Sequence, residues 1–458
     1  MGEHVDAIVV GMGPGGEVVA GRLLAAGRSV AVVERELIGG ECAYWACVPS
    51  KSVLRPPEAA DEVARAAGVQ GARLDWPAAR DHRDYMVRHL DDAAQVDAYA
   101  RRGGVVVKGE ARVAGPGRVM VGERELTADD VIVATGSTPN VPPIDGLDAV
   151  TAWTNRETYS TAELPERAVI VGGSSVGVET AWFLARFGVA TTVVEVRDRL
   201  LAAEEPRLGE LAAGHLREIG VEVRTGTTPQ RAHRRGADSV LALDGGGEVA
   251  GDVVIIATGR SPRTAGLGLE NAGVALGDRG EVVVDASCRA ADGVWAVGDV
   301  TGIMPLTHVA KYQGRVAADG ILGHPRTARY EGIPRVVFAE PEIAAVGPTR
   351  EQAEERGVRT AAAEVDLADA ITRPWTYETD PRGRLGLVAD ADRRVLVGAW
   401  AVAPHAGEWI HQAALAIRTS LPIEVLLDQV PQFPTYSEGY LSALEKLPLG
   451  SPVGAARS

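Results

Sequence analysis

Val5-Asp6-Ala7-Ile8-Val9-Val10-Gly11-Met12-Gly13-Pro14-Gly15-Gly16 stands near the start of the chain, and its reading decides the fold. The apolar run Val5–Val10 predicts a strand, the glycines a tight turn, and the Ala- and Leu-rich stretch to Ala26 a helix. A second apolar strand, Ser29–Val33, ends at Glu34, 23 residues after Gly11. Strand, glycine turn, helix, strand and acid is the order of a dinucleotide-binding unit. Gly11 permits the turn, Gly13 lets the backbone approach a pyrophosphate, and Gly16 lets the helix pack on the strand. The helix N-terminus then offers free N–H groups and partial positive charge to the phosphates.

The pattern returns further along. Ala168–Val171 predicts a strand, followed by Gly172-Gly173-Ser174-Ser175-Val176-Gly177, a helix through Glu179, and a strand that ends at Glu195, 23 residues after Gly172. Ser174 takes the place of the middle glycine, and its β-carbon is expected to crowd a pyrophosphate. A second echo pairs Ala134-Thr135-Gly136 with Ala257-Thr258-Gly259, each after an apolar strand. Two modules suggest two different dinucleotides, hence electron transfer between them. The alternative is one working site and a decayed duplicate. At the second site Glu195 would accept a ribose 2′-hydroxyl and repel a 2′-phosphate, which favours NADH over NADPH. Arg197 and Arg199 follow closely and argue the other way.

The 458 residues allow roughly three domains. Apolar residues make up 46% and charged residues 24%, enough for a large core. The net charge of −15 argues against nucleic acid or an anionic membrane as partner. No apolar run approaches a membrane span, and no secretory signal precedes Val5, so a cytoplasmic protein is expected. The expected fold class is α/β: two Rossmann-like dinucleotide-binding domains, residues 1–150 and 151–265, with 266–330 returning to the first and an α+β tail over 331–458. Helices are predicted across Pro57–Ala67 and Trp76–Arg101, and near Arg350–Arg356 and Ala406–Ser420. Pro139–Pro143 reads as a linker.

Cys42 and Cys47 follow the first unit closely, within Gly39-Gly40-Glu41-Cys42-Ala43-Tyr44-Trp45-Ala46-Cys47-Val48-Pro49-Ser50-Lys51. Five residues of regular helix would separate their α-carbons by about 7.5 Å along the axis, whereas a disulfide needs them within about 7 Å. A bridge therefore requires a distorted first turn. A thiolate near a helix N-terminus would be stabilised, and Lys51 lies four residues beyond Cys47 on the same helical face. Spacing alone leaves open a second reading, two unrelated buried thiols. Three cysteines do not make a disulfide scaffold, and Cys288 reads as packing.

Gly11–Gly16, Gly40–Lys51, Ala134–Gly136, Gly172–Glu179, Ala257–Arg260, Gly298-Asp299 and Pro341–Gly347 together resemble the FAD-dependent pyridine nucleotide–disulfide oxidoreductases, the family of dihydrolipoamide dehydrogenase, glutathione reductase and mercuric reductase. The resemblance covers nearly the whole chain. It implies FAD on the first module, held through Gly11, Gly13, Gly16, Glu34, Ala111, Thr135, Gly136 and Asp299, with His308 near the flavin. It implies NADH or NADPH on the second, through Gly172, Gly177, Glu195 and Gly259. Lys51 would sit near the flavin, paired with Glu179. Cys47 would lie against the ring as a thiolate and Cys42 would be the outer, interchange thiol. The tail, including Glu438, would form a homodimer with active sites shared between subunits. No metal is implied.

One motif departs from the family. Its thiol-handling members usually carry His-Pro-Thr-x-Ser-Glu, where this chain has Phe433-Pro434-Thr435-Tyr436-Ser437-Glu438. Phe433 cannot move a proton, and such acid–base help is worth about 10²–10⁴ in rate. Three readings follow: reduction of a small disulfide-type substrate; reduction of another small-molecule acceptor such as a quinone, metal ion, oxygen or electrophile; or a non-catalytic flavoprotein subunit of a complex.

Overall fold

The computed structural model describes residues 3–449. Strand β1 (Glu3–Val10) lies parallel to β2 (Val30–Glu34), with Val10 opposite Val33. Every residue of β2 is buried, which explains its unbroken apolar run. Between them runs helix α1 (Pro14–Ala25), which carries proline in its first turn, where a missing N–H costs nothing. The sheet has eight strands. Arg124–Val133 flanks β1 on one side, and Val105–Lys108 flanks β2 on the other. Arg289–Ala291 and Val294–Ala296 extend the Arg124–Val133 side, so late residues complete the early sheet. The helix Thr307–Ile321 then packs against α1.

A second, five-stranded parallel sheet has the order Glu222–Arg224, Ala190–Val194, Arg167–Val171, Val253–Ile256, Ala152–Trp153. The repeat heard in the sequence is thus a repeat of fold. The tail forms a third, antiparallel sheet of five strands between Pro334 and Ala403, covered by helices that bury Ile410, Ile417, Tyr440 and Leu444. No described helix is long and apolar enough to cross a membrane.

Several local expectations need correction. Helix α2 covers Gly40–Tyr44, and helix α3 runs from Cys47 to Arg65, ten residues before the predicted start at Pro57. Proline at a helix start is the commoner pattern, but here Pro56 and Pro57 lie inside the helix, where packing of α3 on its neighbours outweighs local propensity. The predicted helix Trp76–Arg101 is two helices, Trp76–Met86 and Ala93–Arg101, because Arg88, His89 and Leu90 all take left-handed backbone angles. The helix expected over Ala406–Ser420 breaks into Ala406–Trp409 and His411–Thr419. Ser137–Pro139, at the edge of the expected linker, pairs instead with Arg260–Pro262 as a short antiparallel ladder that joins the two repeats.

Candidate active site

The first glycine turn is held open by sterics. A β-carbon on Gly16 would strike the Gly11 carbonyl oxygen, so α1 can approach β1 only without a side chain there. At Gly13 the same hypothetical atom meets nothing within 4 Å. Gly13 caps α1 without a side chain to accept its N–H groups, which leaves them for a ligand. Glu34 is buried at the end of β2, where its two oxygens accept the Met12 and Glu36 N–H groups, each at 2.8 Å. A cavity of about 450 Å³ runs from this turn to the first cysteine; Gly13, Glu34, Ala111, Asp299, Cys42 and Thr307 are on its wall. Gly11, Thr135 and Gly136 also border it. Open glycine backbone at a helix N-terminus, an acid at the strand end and a long cavity fit an FAD.

The second turn is built the same way. Glu195 is buried and accepts the Gly173 N–H at 2.5 Å and the Arg197 N–H at 2.7 Å. A β-carbon on Gly177 would strike the Gly172 carbonyl, as Gly16 does with Gly11. Ser174 points its hydroxyl at the Ala257 carbonyl at 3.1 Å, so its side chain is tied down beside the turn. Arg199 is engaged with the Ala202 carbonyl at 3.2 Å, while the Arg197 side chain is exposed. Gly259 has positive φ and stands beside Asn140, next to the ladder between the repeats.

The cysteines lie on either side of a break. Trp45 and Ala46 leave helical geometry between α2 and α3, with φ of −132° and −130°, so Cys42 ends up in one helix and Cys47 opens the next. This is the kind of distortion that a bridge at this spacing would require. Both thiols are free, and Thr307 Oγ1 stands between them, 3.3 Å from Cys47 Sγ and donating to Cys42 Sγ at 3.2 Å. The sequence reading misses Thr307 and favours its neighbour His308. His308 instead turns its Nε2 to the Pro334 carbonyl at 3.0 Å, and it does not line the cavity. Adjacent helix residues point in different directions, and no local signal tells which one faces a sulfur 260 residues away.

The two thiols titrate together. The Cys42 thiol, donating to Cys47, is the largest influence on Cys47; Thr307 and the Lys51 ammonium add to it, against burial and Glu179, and Cys47 falls to about 6. The same contact and burial push Cys42 well above the usual thiol range. Lys51 Nζ lies 2.7 Å from Glu179 Oε2 and 4.7 Å from the centre of the Phe338 ring, while Glu179 Oε1 accepts the Phe338 N–H at 3.0 Å. The group thus has one thiolate beside one cation, with a proton stored on the neighbouring sulfur. In the reduced protein, alkylation of Cys47 by iodoacetamide is expected to rise through about pH 6 and level off above it, because a thiolate reacts and a thiol does not. Lys51→Met and Thr307→Val should each move the midpoint upward. A midpoint near the ordinary value of about 8.5 in the parent would contradict this.

Glu438 lies elsewhere, in the tail. Its Oε2 accepts the Thr435 N–H at 2.9 Å, and Phe433 is 62% exposed. The tyrosines that follow are poor substitutes for a histidine. Burial pushes the Tyr436 and Tyr440 hydroxyls above the usual range, and Tyr440 donates to the Trp409 carbonyl at 3.3 Å. Glu58, Glu62 and His405 bring potential metal-ligating atoms within 4.8 Å of one another, but Arg55 pairs with both carboxylates and Tyr377 meets His405 Nε2 at 2.8 Å. Cys288 is fully buried, and burial raises its thiol to about 12.

Known proteins are similar to this chain in sequence and fold. The pattern described as pyridine nucleotide-disulphide oxidoreductase matches residues 5–314, and that of the dimerisation domain of the same name matches 333–444. Mercuric reductase from Streptomyces lividans is 37% identical over 437 residues, which cover 92% of this chain and 91% of that protein. Dihydrolipoyl dehydrogenase from Geobacillus stearothermophilus is 31% identical, covering 98% and 97%. Among solved structures, the Cu(II) complex of the HOCl-induced flavoprotein disulfide reductase RclA from Escherichia coli superposes with a TM-score of 0.87 at 28% identity, covering 97% of this chain and 99% of that one.

Proposed function

The chain belongs to the pyridine nucleotide-disulphide oxidoreductase family, and on that premise we propose that it takes reducing equivalents from NAD(P)H, passes them to the Cys42–Cys47 pair, and delivers them to a small acceptor. The family binds FAD and a nicotinamide dinucleotide, and it carries a dimerisation domain like the one over residues 333–444. The observation that carries the proposal is the single cavity that joins the Gly13 turn and Glu34 to Cys42 and Thr307.

FAD, when bound, supplies the two-electron exchange between a nicotinamide and a dithiol. The chain's own residues set the protons and charges. Lys51, held by Glu179, places a cation beside Cys47 and favours its thiolate. Cys42 keeps its proton and is the sulfur on the cavity wall, which suits it to meet the acceptor. Thr307 Oγ1 stands within hydrogen-bond reach of both sulfurs. Two chains pair through the tail, and each brings its Phe433–Glu438 segment to the other's site.

The first reading of the acceptor is a small disulfide, which Cys42 would attack after losing its proton. Phe433 favours a second reading, an acceptor that needs no proton delivered at sulfur, such as a thiophilic metal ion. Mercuric reductases stand among the relatives, and RclA carries Cu(II) in the structure cited. Turnover of a panel of small disulfides, quinones and metal ions with either nicotinamide separates these readings.

NADH is the proposed donor. Glu195 is fixed through both oxygens as an anion facing the second turn, and it would repel a 2′-phosphate. Glu195→Ala should lower the NADH-to-NADPH ratio of kcat/KM by about tenfold or more, since like charges brought together cost several kcal/mol. An unchanged ratio would remove Glu195 from the selection.

A further inference from the structure

Arg263 follows the Ala257–Gly259 echo and belongs to no motif in the sequence reading. Its backbone is fixed on both sides: its N–H donates to the Gly136 carbonyl at 2.9 Å, and its carbonyl accepts the Thr135 hydroxyl at 2.7 Å. Thr135 in turn borders the first glycine turn, where its α-carbon lies 3.1 Å from the position of a β-carbon on Gly11. Arg263 lines the same cavity as Gly13 and Glu34.

The guanidinium is half-buried and forms no direct ion pair among the described residues; Glu36 and Glu41 act on it only from a distance. Arg35 and Arg156 add positive charge around it. The nearby carboxylates are committed elsewhere. Arg156 binds Glu36 Oε2 at 2.8 Å and Glu41 Oε2 at 2.6 Å, and Glu34 is held by the Met12 and Glu36 N–H groups. Among the described residues, no carboxylate comes within 4.0 Å of Arg263. A guanidinium cannot shed its proton to escape such a place. Cation, cavity wall and glycine turn converge on one kind of ligand, a pyrophosphate with one negative charge on each phosphorus, whose oxygens the planar fork of an arginine matches with two parallel hydrogen bonds.

We propose that Arg263 is a cofactor-binding residue, its guanidinium pairing with the pyrophosphate of an FAD seated on the Gly11–Gly16 turn. The assignment rests on the FAD reading above. It gives the first module a charged contact in addition to the N–H groups of α1, and it links the second echo of the chain to the cofactor of the first.

The test is the dissociation constant of FAD, read from the fluorescence of released flavin as the holoprotein is diluted, at about 50 mM and about 500 mM KCl. Arg263→Asn should raise the constant by about tenfold to a hundredfold, the usual scale for a charge-assisted pair, and should flatten its dependence on salt. Arg263→Lys keeps the charge and loses the fork, so it should fall between the two. The melting temperature of the flavin-free protein should stay where it is in both variants, because no protein partner is lost. Binding of FAD to Arg263→Asn within twofold of the parent at both salt concentrations overturns the assignment. So does an equal loss in both variants accompanied by a lower melting temperature, which would mark a structural role. A parent protein that holds no FAD overturns the cofactor reading, and this assignment with it.

Discussion

Cys47→Ser is expected to reduce NAD(P)H-dependent turnover of a disulfide acceptor by about 10³-fold or more, the scale of loss when a covalent relay group is removed, while FAD stays bound. The reasoning is local. Cys47 is the sulfur beside Lys51 and the one brought down to about 6, so it carries the charge on which the exchange depends. A serine hydroxyl neither ionises in this range nor forms a disulfide. Cys42→Ser should fail differently. The Cys42 thiol is the largest influence lowering Cys47, so its loss should raise the Cys47 midpoint in alkylation as well as abolish disulfide turnover. Quinone reduction offers a useful contrast. If it persists at the parental rate in Cys47→Ser, that acceptor takes electrons without passing through sulfur. If disulfide turnover persists in Cys47→Ser, the pair is not the relay.

Phe433→His should increase turnover of small disulfides by about 10²-fold or more, within the range that general acid–base help supplies. Phe433 is 62% exposed in the single chain, so the substitution leaves no cavity in that chain's core. The supporting parts are in place: Glu438 already caps the segment by accepting the Thr435 N–H at 2.9 Å, and a histidine at 433 would stand five residues before it in the family's usual spacing. Phe433→Ala separates a proton effect from a size effect, since it opens the same space and gives no base. A gain in His alone supports the missing shuttle. Equal gains in both variants, or none in either, would mean that proton delivery does not limit the reaction.

What the sequence made legible was what is local in it. Gly11, Gly16 and Glu34 are tied by sterics and hydrogen bonds within one βαβ unit, so the glycine spacing together with the flanking strand, helix and acid was readable locally, as it was for Gly172, Gly177 and Glu195. The cysteine pair was half legible. Helix arithmetic showed that a bridge between Cys42 and Cys47 would require a distorted turn, but the break itself, at Trp45 and Ala46, appears only in the fold. Thr307 and Arg263 were not legible. Each reaches its place through contacts more than a hundred residues apart in the chain, and neither residue type is distinctive on its own. The early start of α3, across Pro56 and Pro57, was misread because tertiary packing decided what local preference opposed. The left-handed run Arg88–Leu90 carries no glycine to announce it.

The passage of electrons from a nicotinamide to the two sulfurs is the central step, and one measurement addresses it directly. The oxidised holoprotein is mixed with NADH without oxygen, quenched with an excess of alkylating agent in denaturant, where both thiols react, and analysed by peptide mass. The account predicts that Cys42 and Cys47 become alkylated together, only after NADH is added, while Cys288 stays as it was. Loss of flavin colour on adding NADH without new alkylation at Cys42 and Cys47 would contradict it.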